Sequence, residues 1–314
     1  MNAAASKPAL LVTAADLAPE ALTLLGDFEI VFAGKTPSED DIVSLCRQYN
    51  PVAIIVRYSK VGAAAMDAAP ALRVISKHGS GTDTIDKVAA QARGIEVVAA
   101  IGVNAAAVAE QALALLMACA KSVVTLDARM RGGHWDKSTH KSIELDGKTL
   151  GLVGLGAIGI RMAAMGHSLG MRVIGYDPYA KHLPAYVEPV ALDAIWRESD
   201  AVSLHCPLTD DNRGMLNATT LAACRPGVIV VNTARGGLID EDALLAAVRS
   251  GHVHGAGLDS FATEPMVAGH PFQQEARIIL SPHIGGVTSA AYVNMGVAAA
   301  RNALEVLARQ PSPV

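Results

Sequence analysis

The chain has 314 residues, 51% hydrophobic and 18% charged, a length that favours two domains and a composition that supplies sizeable cores. With aromatics at only 4%, those cores must be built from Ala, Val, Leu and Ile, and a net charge of −4 leaves no basic footprint for nucleic acid. The four cysteines (Cys46, Cys119, Cys206, Cys224) lack C-x-x-C spacing, which argues against a disulfide framework or a zinc site and fits a reducing, cytoplasmic setting.

The opening MNAAASKPALLVT has a short apolar run and no signal-peptide layout. Strand patterns follow in PALLVT, FEIVFAG, PVAIIVR, LRVISKHG and IEVVAA. Helical patterns lie between them in PEALTLLG, SEDDIVSLCRQY, AAAMDAAP and DKVAAQARG. This alternation predicts a parallel sheet covered by helices on both faces. One long helix is expected from about Asn104 to Arg131. Its most apolar part, AAAVAEQALALLMACAK, is interrupted by Glu110 and Gln111 and is too short to span a bilayer, so no membrane association is expected. RGGHWDKSTHKSIELDGK reads as a loop.

The rhythm then restarts. TLGLVG, MRVIGYD, AVSLHCP, GVIVVNTAR, GAGLD and RIILSPH read as six further strands. Asp240 and Gly251 mark the start and end of a helix in DEDALLAAVRSG. TSAAYVNMGVAAARNALEVLARQ reads as the last helix. The fold class is α/β, with two doubly wound parallel-sheet units, one before GLGAIG and one beginning at it.

Gly154, Gly156 and Gly159 form G-x-G-x-x-G between a strand and a helix. The first glycine permits the tight turn, the second lets the backbone approach a pyrophosphate, and the third lets helix and strand pack closely. Backbone N–H groups and the helix dipole then favour the anion. Asp177 closes the next strand, about 20 residues on, where a carboxylate meets the adenosine ribose hydroxyls. A carboxylate there repels a 2′-phosphate, so NAD is the expected cofactor over NADP. DGKT (Asp146 to Thr149) is not a P-loop, because Ser142 occupies the position of its first glycine and the strand follows it.

Open parallel sheets bind ligands at the carboxyl ends of their strands. Arg235, Asp259 and His283 each follow an apolar run, with Glu264 in the loop after Asp259. Reduction of a ketone needs a proton donor and oxidation of the alcohol needs a base; histidine serves both directions. A carboxylate bonded to it raises its pKa and fixes its orientation. An arginine can fork onto a substrate carboxylate. This chemistry calls for no metal. His205 also ends a strand and is assigned to lining the cofactor site. His252 and His254 have metal-like spacing without accompanying ligands, and a turn after Gly251 accounts for them.

KHGSGTDTID, VNAAAVAEQALALLMA, GLGAIG, LHCPLT, VNTARGGLIDEDAL, GLDSFATEP and SPHIGG together resemble the D-isomer-specific 2-hydroxyacid dehydrogenase family, from about Ile54 to Gly286. That family includes phosphoglycerate dehydrogenase, hydroxypyruvate and glyoxylate reductases and D-lactate dehydrogenase. The resemblance implies a Rossmann NAD-binding domain at 102–284 inserted into a flavodoxin-like substrate domain at 1–101 and 285–314. It implies Arg235 on the substrate carboxylate and keto group, His283 as general acid/base, Glu264 as its partner, and Asp259 at the nicotinamide carboxamide. Ala157, Ile158 and Asp177 would hold the pyrophosphate and ribose side, with Pro207, Thr233, Ala234, Gly285 and Gly286 completing the cofactor site. Ser80 and Gly81 would hold the substrate carboxylate, with Asn104 beside them. Ser80, Ala106 and Ala107 depart from residues common in the family. No regulatory module is expected after the last helix.

The phosphoglycerate branch typically carries an arginine after its third strand and a lysine two residues after a tryptophan; Arg57, Trp135 and Lys137 match. In dimers of the family that second loop can reach the partner's active site, and a homodimer is the expected assembly. Lys77 and His78 add positive charge near the substrate turn. The expected substrate is a small anionic 2-hydroxy or 2-keto acid, with 3-phosphoglycerate or hydroxypyruvate/glyoxylate leading. The alternatives are another 2-keto acid reductase of the D-lactate type and an NAD-sensing, corepressor-like binding protein. Formate dehydrogenase fits less well, because its histidine typically pairs with Gln.

Overall fold

The structure, a computed structural model, describes residues 7–309. It divides into two compact units, one of residues 1–104 with 287–314 and one of residues 105–286.

The first unit alternates strand and helix: β1 (Ala9–Val12), α1 (Pro19–Leu24), β2 (Glu29–Phe32), α2 (Glu39–Tyr49), β3 (Ala53–Val56), α3 (Ala63–Asp67), β4 (Val74–Lys77), α4 (Lys87–Ala92) and β5 (Glu96–Ala99). The strands form a parallel sheet in the order β2-β1-β3-β4-β5, the flavodoxin-like order. Side chains alternate across it. Leu11, Ile54 and Ile75 face one layer, packed with Ile42 and Cys46 of α2. Leu10, Val12, Ile55 and Val74 face the other, packed with Ala18 and Ala21. Burial on both faces explains why β1, β3 and β4 read as continuous apolar runs. Ser38 starts α2 with a capping box: its hydroxyl accepts from Asp41 N, and the Asp41 carboxylate accepts from Ser38 N.

The second unit opens with α5 (Ala105–Lys121) and α6 (Val123–Arg131). The single helix expected over this stretch is two, because Ser122 takes a left-handed conformation (φ 51°) and the pair bends by 59°. The apolar run of α5 is buried, whereas α6 buries none of its residues. Then follow β6 (Thr149–Val153), α7 (Ala157–Ser168), β7 (Arg172–Tyr176), β8 (Val187–Pro189), α8 (Leu192–Glu198), β9 (Ala201–Leu204), α9 (Ala218–Ala223), β10 (Val228–Asn232), α10 (Glu241–Arg249), β11 (Val253–Leu258) and β12 (Ile278–Leu280). The sheet has seven strands, not six: β8 is too short and polar to show as an apolar run. Its order is β12-β11-β10-β9-β6-β7-β8, all parallel. Asp240 caps α10 by accepting from Ala243 N, and Gly251 just beyond its end has φ +80°.

α11 (Ser289–Arg309) belongs to the first unit. It lays Ala299, Ala300, Ala303 and Val306 against the α1 side of that sheet, and Ser76 Oγ donates to Ala299 O at 2.8 Å. Small side chains on α11 let helix and sheet approach closely, which is how an alanine-rich chain builds a core. Among the described residues no single helix is long and apolar enough to cross a membrane.

Candidate active site

The order of the second sheet reverses between β6 and β9, and the glycine turn lies there. Gly154 has φ +94°, and a Cβ on it would meet the His205 backbone at 2.7 Å. A Cβ on Gly159 would sit 2.0 Å from Gly154 O. Gly156, at the N-terminus of α7, is different: a Cβ there would meet nothing within 4 Å. The first and third glycines serve the chain's own packing, and the second opens onto space an anion can fill. Ala157 is exposed and Ile158 half-buried in the first turn of α7, so their backbone N–H groups lie at the positive end of its dipole.

Asp177, just after β7, accepts from Leu155 N at 2.8 Å and from Tyr179 N at 2.8 Å. One carboxylate thus ties the end of β7 to the glycine turn. Along the same edge, His205 Nδ1, Thr233 Oγ1 and Ser260 Oγ are buried with no hydrogen-bond partner among the described residues. Such groups cost about 1–3 kcal/mol each when left unmet. His205 Nε2 is engaged with Ser203 Oγ at 2.9 Å, and burial pushes the ring's pKa down to about 4, so it is neutral at physiological pH. Pro207 is exposed and Ala234 half-buried nearby. A turn open at Gly156 beside polar atoms lacking partners fits a dinucleotide.

The strand ends to one side carry the acid–base set. Asn232, fully buried at the end of β10, donates from Nδ2 to Arg235 O at 2.8 Å and accepts from Ala234 N at 3.0 Å. That fixes the backbone from which Arg235 extends. Gly236 then passes the Phe261 backbone so closely that a Cβ would lie 1.8 Å from its carbonyl carbon. The loops after β10 and β11 therefore meet without a side chain between them.

Glu264 sits in the second of these loops. Its Oε1 accepts from Phe261 N at 2.9 Å, and its Oε2 lies 2.7 Å from His283 Nδ1. Burial raises the Glu264 pKa, but the bonds from His283 and Phe261 N–H outweigh it and the net shift is downward. The His283 pKa is raised, chiefly by the bond to Glu264, against burial and the charge of Arg235. The imidazole is therefore a held base with one ring nitrogen oriented and its side chain 48% exposed.

His283 has φ +53°, a conformation uncommon for a residue with a side chain. Asp259, 2% exposed, holds that turn. Its Oδ1 accepts from Ser281 Oγ at 2.5 Å and Ile284 N at 3.0 Å, and its Oδ2 accepts from Gly285 N at 2.7 Å. Gln111 of α5 adds a bond to Ser281 Oγ at 3.1 Å. Gly286 follows, half-buried.

Residues 113–285 match the family described as D-isomer specific 2-hydroxyacid dehydrogenase, NAD binding domain. The chain belongs to this family. It is 38% identical to the hydroxypyruvate reductase of Thermotoga maritima over 87% of this chain and 90% of that protein. It is 38% identical to the D-3-phosphoglycerate dehydrogenase of Mycobacterium bovis over 98% of this chain, spanning only 58% of that relative's length. Among solved structures, the TT0316 protein from Thermus thermophilus superposes with a TM-score of 0.89 at 36% identity, over 97% of this chain and 98% of that one. As a member of this family the chain carries an NAD(P)-binding domain, in the unit that contains the glycine turn.

The first unit holds other residues singled out in the sequence. Arg57 follows β3, Lys77 ends β4, and His78, Ser80 and Gly81 form the turn after it. Ser80 Oγ lies 3.5 Å from Ala100 O. Asn104 closes the first segment of this unit, half-buried, whereas Lys137 lies exposed in the second unit beside Trp135, which is 74% exposed. The turn explanation of the histidine pair holds for His252, whose Nε2 meets Leu221 O at 2.8 Å. It fails for His254, which is part of β11.

Three contributions are hidden in the sequence. Asp259 anchors the His283 turn, Ser281 and Gln111 brace that anchor, and Asp16 and Tyr292 engage Arg57. Asp259 is visible at a strand end, though not as an anchor, and Ser281 lies in SPH beside the histidine; Gln111, Asp16 and Tyr292 reach their partners from positions far apart in sequence.

Proposed function

We propose that the chain is an NAD-dependent 2-hydroxyacid dehydrogenase interconverting a small anionic 2-hydroxy acid and its 2-keto acid, with 3-phosphoglycerate/3-phosphohydroxypyruvate or glycerate, hydroxypyruvate and glyoxylate as the candidate substrates. The observation that carries this reading is the 2.7 Å His283–Glu264 pair at the strand edge that also presents Arg235. A bound nicotinamide dinucleotide supplies or accepts the hydride. His283 gives a proton to the carbonyl oxygen in reduction and removes it from the hydroxyl in oxidation. Glu264 keeps Nδ1 protonated and leaves Nε2 for the substrate. Arg235 binds the substrate carboxylate through its fork and polarises the adjacent carbonyl.

Gly154, Gly156, Ala157, Ile158 and Gly159 would hold the pyrophosphate, with Asp177 at the ribose and NAD preferred over NADP. His205, Pro207, Thr233, Ala234, Asp259, Gly285 and Gly286 would line the remainder. Arg57, Ser80, Gly81, Asn104 and Lys137 are assigned to the substrate side. Residues 102–284 would form the cofactor domain, with 1–101 and 285–314 the substrate domain. The exposed apolar residues Val123, Val124, Met130 and Trp135 on and after α6 support a homodimer formed by a second copy. A protein that only senses NAD needs no paired acid–base group, which favours turnover over binding alone.

The test is NADH oxidation against 3-phosphohydroxypyruvate, hydroxypyruvate, glyoxylate and pyruvate. At least one acid is expected to be reduced. His283→Ala is expected to remove turnover while NADH binding persists; turnover at the wild-type rate in that variant would refute the assignment.

A further inference from the structure

The carboxyl edge of the first unit's sheet gathers charge around Arg57. Its Nη1 donates to Asp16 Oδ1 at 2.6 Å and lies 3.4 Å from Asp16 O, and its Nη2 lies 3.3 Å from Tyr58 Oη. Tyr292 of α11 donates from its hydroxyl to the same Asp16 oxygen at 2.8 Å. The guanidinium carbon is 5.1 Å from the Tyr58 ring centroid and 5.0 Å from that of Tyr292. The Arg57 side chain is only 13% exposed, its Nε buried without a partner among the described residues, while Asp16 is 67% exposed. His78 packs at 5.8 Å from Tyr292, and burial, with the Arg57 charge, lowers its pKa to about 4, so it adds no charge at neutral pH. Lys77 Nζ donates to the Arg57 carbonyl oxygen.

A phosphate binder needs a guanidinium whose fork is open to solvent and whose charge is uncompensated. Arg57 has neither. One arm is taken by a carboxylate, the rings of Tyr58 and Tyr292 lie against the guanidinium, and of the pair it is Asp16 that is open to solvent. A ligand anion approaching this edge meets the carboxylate first.

We propose that Asp16 is a specificity-determining residue that, by neutralising and fixing Arg57, selects 2-keto acids whose sole anionic group is the carboxylate and disfavours phosphorylated ones. This rests on the dehydrogenase reading above and chooses among its candidates. Asp16 acts through Arg57 and through its own charge, with Tyr292 as the positioning residue that fixes its orientation.

Hydroxypyruvate and 3-phosphohydroxypyruvate differ only in the phosphate, so the ratio of their kcat/KM values measures the selection. The wild-type protein is expected to favour hydroxypyruvate. Asp16→Asn is expected to shift the ratio toward the phosphorylated acid by about five- to tenfold, mainly through its KM, and less at high salt. Asp16→Glu should restore the discrimination, and Tyr292→Phe, which keeps the ring, should give a smaller shift in the same direction. Calorimetric binding of D-glycerate and 3-phosphoglycerate provides a readout independent of turnover and should show the same change. A wild-type preference for the phosphorylated acid, or an unchanged ratio in Asp16→Asn, overturns the proposal while leaving the dehydrogenase intact. Failure to reduce any 2-keto acid overturns the dehydrogenase reading and this selection with it.

Discussion

His283 Nδ1 stands 2.7 Å from Glu264 Oε2, and the bond raises the pKa of the histidine while lowering that of the glutamate. The charged form of the pair, imidazolium beside carboxylate, is thus favoured. With His283 as the proposed general acid and base, keto-acid reduction needs its protonated form, so the rate is expected to fall as pH rises through the raised pKa; oxidation needs the neutral ring, so its rate is expected to rise over the same interval. Glu264→Gln removes the charge that holds the proton. Both limbs are expected to move to lower pH, with kcat lower by roughly 10- to 100-fold. Rate profiles for both directions from pH 5 to 9 check this, and unmoved limbs count against the pairing.

The glycine turn separates fold from ligand binding. In Gly159→Ala the new Cβ meets a backbone carbonyl at 2.0 Å, which no side-chain adjustment relieves. That variant is expected to lose about 1–3 kcal/mol of stability. Gly156→Ala adds a methyl to open space, so its unfolding midpoint should stay near wild type while NADH affinity falls about tenfold or more. Thermal unfolding and fluorescence titration of both variants distinguish the two roles. Equal NADH affinity in Gly156→Ala and wild type would remove the pyrophosphate from that turn.

Both sheets are legible in the sequence because buried parallel strands must be apolar on both faces, as ALLV, AIIV and VIVVN are. The break at Ser122 was not, because a single left-handed residue inside an apolar periodic stretch leaves the period unchanged. β8 escaped for the opposite reason: VEP at the sheet's edge is half polar. In the candidate site, Arg235 and His283 are visible because each lies just past a strand end, and Glu264 because it lies in the loop that follows β11. The supports of the site were not. Asp16 reaches Arg57 from another loop, and Gln111 reaches Ser281 from a helix. Such contacts are set by tertiary packing, which local patterns do not encode.

Asp259 is buried, and its oxygens take three donors from 281–285. Asp259→Ala would leave those donors without their acceptor and release the turn that keeps His283 at positive φ. The expected cost is about 2–4 kcal/mol, a fall of several degrees in Tm. Asp259→Asn keeps one acceptor and should lie between. Amide hydrogen exchange offers the sharper check: Ile284 and Gly285 are expected to lose protection in both variants, while β10 keeps its own.

Asp177 has one observed duty and one proposed duty, which one substitution can separate. Its carboxylate accepts from Leu155 N and Tyr179 N, which shapes the turn, and its charge is proposed to meet the ribose. A 2′-phosphate there would meet that charge at close range. Asp177→Ser keeps one short acceptor for the turn and removes the repulsion. NADPH affinity relative to NADH is expected to rise about tenfold or more, with a modest drop in NADH affinity as the ribose loses its acceptor. Titration of both nucleotides against wild type and variant measures the ratio directly. Equal affinities in the wild-type protein would confine Asp177 to shaping the turn and leave the choice of nucleotide to other residues.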